Sequence, residues 1–279
     1  MPILTVRGRA SIMLVVSSGL PLIAQSSNYH MELVDVGPGI TNTVLVNDSS
    51  QPIEAFHVLE KCDAGDGWWD RDVLSGPGAP GGTSSDIHGA HGRFSRTIGV
   101  EPGGRWDGQH LGKDKGRECQ ERADAVIFAD GSYEGDEASV RSLMAQRDGV
   151  AAELKYWAEK FKGENPDGST LSSILAEARR RKKEDDAWLN SYRLYVNTEP
   201  EPLLREYWLG RWLVDQNLLV HLPEELPADK ASAIFIHAAG FIGDWKEKFD
   251  NDVSMKKLSL IFQPISVTSG DSAETAAQP

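Results

Sequence analysis

Near residue 132 the chain changes character, and this switch limits the folds open to it more than any other feature. Before it, Gly, Val, Ile and Thr are broken by turn residues at short intervals. After it, Ala, Glu, Lys, Arg and Leu recur at helical spacing. Strand-like runs followed by helix-like runs argue against an alternating βαβ plan and predict an α+β arrangement or two packed units.

In the first part, residues 42–47 (NTVLVN) form a β-branched run closed by the turn residues Asp48, Ser49, Ser50, Gln51 and Pro52. Residues 53–62 alternate in part, with Ile53, Ala55, His57 and Leu59 on one face and Phe56 and Val58 on the other. Residues 29–36, 95–100 and 119–129 add further candidates, the last stopped by Asp130-Gly131. Between Cys62 and Phe94, residues 76–92 (GPGAPGGTSSDIHGAHG) are too rich in Gly and Pro to offset their ordering entropy by burial. They predict a long insertion at about 63–93.

In the second part, Asp136 is a plausible N-cap. Val140, Leu143, Val150, Leu154, Trp157 and Phe161 follow at spacings of three and four, interrupted only by Arg147. A second helix is expected over 169–195. Its middle, from Arg179 to Asp186, is almost wholly charged and reads as a solvated face with pairs such as Glu177 and Arg181. A capping-box pattern at Thr198 to Glu201 opens a third helix. Its Tyr207, Trp208, Arg211 and Trp212 read as core packing rather than as a ligand-stacking cluster. Residues 228–250 form a fourth, with a wide apolar face expected to be buried and to carry His237 as a core histidine.

The run TVLVNDSSQPIEAFHV (43–58), with AVIFADGSYEGD (125–136) much later, resembles the immunoglobulin-like sandwiches of uncharacterised secreted bacterial proteins. The resemblance implies a fold and a compartment over about 100 residues, and no activity. The expected architecture is therefore α+β: an antiparallel immunoglobulin-like β-sandwich over 27–132, an α-helical region over 133–265, and a disordered tail over 266–279.

Residues 1–26 read as a secretory signal peptide. Arg7 and Arg9 form a basic n-region, residues 10–24 an apolar h-region, and Ala24-Gln25-Ser26 a cleavage site. The alternative is an uncleaved anchor, although the apolar run is short for a span. No later segment is long and apolar enough to cross a bilayer, so no stable membrane span is expected after cleavage. The mature chain is expected in the periplasm or outside the cell. There Cys62 and Cys119, the only two cysteines among 279 residues, are expected to form a disulfide. A formal net charge of -13 repels phosphate backbones, which excludes nucleic acid as an expected partner.

Chemistry-bearing motifs are few. Asp86, His88, His91 and the distant His110 form a candidate site for a divalent transition metal. Asp63, Asp66, Asp70 and Asp72 surround Trp68 and Trp69, without the spacing of a calcium-binding EF-hand loop. The chain carries no Gly-x-Ser-x-Gly, no His-Glu-x-x-His and no phosphate-binding loop. The expectation is an exported, non-catalytic binding or structural module without a cofactor. Trp68 and Trp69 would meet an unknown protein or cell-envelope partner. The alternative is a metal-dependent hydrolase using Asp86, His88 and His91.

Overall fold

The computed structural model describes residues 28–37, 40–62, 68–74, 83–84, 100–107, 119–162, 164, 166–194, 202–223 and 227–265. The strands are β1 (Tyr29–Gly37), β2 (Ile40–Asn47), β3 (Ile53–Cys62), β4 (Trp68–Leu74), β5 (Thr83–Ser84), β6 (Arg105–Asp107), β7 (Cys119–Phe128) and β8 (Tyr133–Gly135). The helices are α1 (Glu137–Lys162), α2 (Gly168–Leu194), α3 (Pro202–Val220), α4 (Ala231–Asn251) and α5 (Val253–Leu258), with a 3-10 turn at Ala228–Lys230 before α4.

The strands form two antiparallel sheets. One has the order β1-β2-β6, the other β5-β4-β3-β7-β8. Tyr29, Leu45 and Trp106 of the smaller sheet pack on Ile53, Phe56, Val58, Val126 and Phe128 of the larger one. Phe56 meets Trp106 edge to face, with ring centroids 4.9 Å apart. Asn47 ties the turn after β2 in place. Its buried amide donates to the carbonyls of Gln51 (2.8 Å) and Val100 (2.6 Å), and its oxygen accepts from Ser49.

The other face of the larger sheet is also covered. Ala55, Ala125 and Ile127 join one apolar cluster with Val140, Leu143, Val150, Leu154 and Trp157 of α1 and with residues of the remaining helices. The expected antiparallel immunoglobulin-like β-sandwich followed by an α-helical region is therefore not what forms. Three layers stack instead: small sheet, large sheet, helices. The reason lies in β3 and β7, whose apolar residues point both ways, so the sheet needs a cover on each side. The register shift between Ile53 and Ala55, which leaves Glu54 as an extra residue on β3, moves Ile53 to the face of Phe56. The simple alternation placed it with Ala55.

The expected insertion is partly strand. Trp68 and Trp69 begin β4, which pairs with β3 along its length. The 95–100 candidate is described only at Val100, an isolated bridge to Ile53.

The helices follow the sequence more closely. Asp136 caps α1, its carboxylate accepting from the Ser139 amide at 3.0 Å, and the whole stripe from Val140 to Phe161 is buried. Arg147 is buried with that stripe. Helices α1 and α3 cross at paired glycines. A Cβ on Gly149 would lie 1.9 Å from the Tyr207 carbonyl oxygen, and one on Gly210 1.9 Å from that of Gln146. Among the described residues no helix is long and apolar enough to cross a membrane.

Candidate functional site

The densest set of ionisable groups lies inside the helical layer. Helix α2 carries Arg181 and, one turn on, Asp185; helix α3 repeats the spacing with Arg211 and Asp215. Residues four apart share a helix face, so each helix turns an arginine and an aspartate inward together. Glu153 of α1 stands between them, 1% exposed. Arg181 donates to both Glu153 oxygens, from Nε to Oε1 at 2.7 Å, and Arg211 donates from Nε to Oε2 at 2.8 Å. The remaining contacts cross over: Arg181 Nε lies 3.9 Å from Asp215 Oδ2, and Arg211 Nη2 lies 3.9 Å from Asp185 Oδ1.

Aromatic rings wall this network. The Arg181 guanidinium lies 3.9 Å from the Tyr156 ring centroid, and that of Arg211 4.3 Å from that of Trp208. Trp208 stacks on Trp188, as the core-packing reading expects, and Trp157 Nε1 donates to Asp215 Oδ1 at 2.6 Å. Apart from each other, the two carboxyls meet one hydrogen-bond donor among the described residues, Trp157 Nε1 on Asp215. Burial is the main cause that pushes both carboxyls well above the ordinary aspartate range. Fully ionised, three carboxylates face two guanidiniums, and one proton balances the cluster.

This arrangement corrects the solvated-face reading of α2. Arg180, Lys182 and Glu184 do form outer i,i+4 pairs, Arg180 with Glu184 and Lys182 with Asp186. Arg181 and Asp185 turn inward, and Glu177 takes the Tyr156 hydroxyl, Lys160 and Arg180 in place of Arg181. The repeated Arg-x-x-x-Asp puts each pair on one helix face but does not say which way that face turns.

Two further sets join the layers. Arg147 donates to Ser254 Oγ at 2.8 Å and lies 3.7 Å from Glu54 and 3.8 Å from Asp252, all four residues being buried. Strand β3, α1 and α5 meet there. His57 Nδ1 sits 2.6 Å from Asp124 Oδ1, and Ser139 Oγ donates to Asp124 Oδ2 at 2.9 Å. A serine nucleophile needs the histidine between hydroxyl and carboxylate. Here the carboxylate is in the middle, so these three residues hold β3, β7 and α1 together.

At the outer end of the helices His221, just past α3, faces His237 of α4, with Nδ1 and Nε2 3.2 Å apart. His237 is exposed rather than a core residue, because the apolar face of α4 is narrower than its sequence implies. Phe235, Ala238, Ile242, Trp245 and Phe249 point inward, while Ala233, Ile236, Gly240 and Gly243 are exposed.

Of the residues singled out from sequence, Asp86, His88, His91 and His110 lie outside the described residues, as do residues 1–26 and 266–279. Trp68 and Trp69 are described in backbone only. So are Cys62 and Cys119, which stand directly opposite one another as the last register pair of β3 and β7. Among the described residues no group of three or more His, Cys, Asp or Glu is arranged to hold a metal ion. Comparisons with known protein families, curated proteins and solved structures found no match for this chain.

Proposed function

We propose that the chain is an exported, non-catalytic binding or structural module acting in the periplasm or outside the cell. The observation that carries this reading is the use made of the charged groups. Glu153, Arg181, Arg211, Asp185 and Asp215 join three helices, with the three carboxylates buried and both arginines bound to Glu153. The recognition segment is the start of β4. Among the described residues, Trp68 to Asp72 pair with β3 alone, because β5 covers only Val73 and Leu74. A sheet edge carrying two tryptophans suits the addition of a partner strand.

Export also supports a disulfide. Opposite residues of an antiparallel pair lie about 4.5–5.5 Å apart at Cα, inside the span a disulfide bridges. The bridge would close the base of the segment that carries the tryptophans.

The test uses the full chain expressed with its own N-terminus. Exported protein should begin at about residue 25–28, the usual spread for such sites. It should have no titratable thiol and lose capture of its envelope partner in a Trp68→Ala/Trp69→Ala variant of unchanged melting temperature. Turnover of any hydrolase substrate that depends on added metal, and that Asp86→Ala/His88→Ala/His91→Ala abolishes, would overturn the reading in favour of a hydrolase.

A further inference from the structure

We infer that His221 and His237 form a site for a borderline divalent metal ion, of the class of zinc, nickel or copper(II), at the outer end of the α3–α4 pair. The two imidazoles come from different elements, and that of His221 is held. The backbone amide of His221 donates to the Leu218 carbonyl at 3.0 Å, and its ring lies against Phe241, with centroids 4.0 Å apart and planes 34° from parallel. His237 projects from the second turn of α4. Their facing nitrogens are 3.2 Å apart, with ring planes 63° apart. Two nitrogens bound to one tetrahedral zinc at about 2.0–2.1 Å lie about 3.3 Å from each other, so one ion fits between these rings with small movement.

The chemistry of the pair suits that use. A metal-binding imidazole must be neutral, and burial together with the neighbouring histidine lowers the proton affinity of His221. Imidazole nitrogen prefers zinc, copper and nickel to magnesium or calcium. His237 is exposed, so an ion here has a route from solvent. With two protein ligands the other positions stay open to water or to a ligand from another molecule. This site shares no residue with Asp86, His88, His91 and His110, and it does not depend on the non-catalytic reading.

The experiment is a titration of the oxidised full chain with zinc alone, followed by calorimetry and by the shift in melting temperature. His237→Ala removes an exposed side chain and leaves the core intact. It should weaken zinc binding at least about tenfold and abolish the zinc-dependent rise in melting temperature. His88→Ala/His91→Ala should change neither. His221→Ala should match His237→Ala in affinity, and His237→Cys, which restores a zinc ligand, should recover binding. Zinc binding that His237→Ala leaves unchanged would overturn the site. So would an absence of zinc binding by the unaltered chain, or an equal loss in His88→Ala/His91→Ala.

Discussion

The interface between the two sheets and the interior of the helical layer solve the same burial problem with different materials. Between the sheets, Leu45, Phe56, Val58, Val126 and Trp106 meet as an apolar core. Within the helices, apolar side chains surround a cluster of Glu153, Arg181, Arg211, Asp185 and Asp215. An apolar core tolerates small changes of shape, because each contact is weak and non-directional. A buried charge cluster depends on every member, because removing one leaves the others desolvated without a partner. The helical layer should therefore be the more brittle half, and four measurements can break or sharpen that contrast.

The largest effect is expected where α1 and α3 touch. Gly149→Val or Gly210→Val drives a side chain into the carbonyl of the other helix and should cost more than about 3 kcal/mol, read by urea unfolding. A variant as stable as the unaltered chain would show that the helices are not locked at these glycines. Next comes Glu153→Gln, which strands two arginines and should cost about 3 kcal/mol. Glu184→Gln, which breaks only an exposed pair with Arg180, should cost under about 0.5 kcal/mol. Equal losses in these two variants would erase the distinction between the inner and outer faces of α2.

The third measurement is pH dependence. Asp185 and Asp215 are pushed up from 3.8 to about 7 and about 9, first by burial and then by neighbouring carboxylates. The folded state therefore holds protons that the unfolded chain releases above 3.8. That contribution to stability is present in full at low pH and is lost as pH rises through the folded values. The pair titrates as a unit, so the loss spreads between about pH 4 and pH 9. Asp215→Asn should flatten the fall in melting temperature between pH 6 and pH 9. An unchanged slope would remove the buried pair as its source.

The fourth measurement, also of a small effect, belongs to the smaller sheet. His30 lies between Glu32 and Asp48, and hydrogen bonds to Glu32 and then Asp48 raise its proton affinity. Its contribution is present below the unfolded histidine value and lost as pH rises through the folded one. His30→Ala should cost under about 1 kcal/mol at pH 5 in low salt, and nothing measurable at pH 9. A larger cost that persists in high salt would mean the small sheet also relies on charge.

What could be read in advance follows the same divide. The stripe from Val140 to Phe161, the Asp136 cap, and strand β3 from Ile53 to Cys62 were legible, because periodicity and capping are local. The inward turn of Arg181 and Asp185 was not, since a charged residue on a helix looks the same whether its partner is water or Glu153 on another helix. The shift at β3 that re-aims Ile53, and the exposure of Ile236 at 61%, were equally hidden.

By itself, then, the sequence determined strands β1, β2, β3 and β7, the extents of α1 and α2 to within a residue or two, and that α1 has one buried side. The stacking of three layers, the inward turn of Arg181 and Arg211 toward Glu153, and the meeting of His221 with His237 were decided only in the tertiary structure. Local preferences act over a turn or a few residues, whereas burial and electrostatic partnership depend on what the rest of the chain brings alongside.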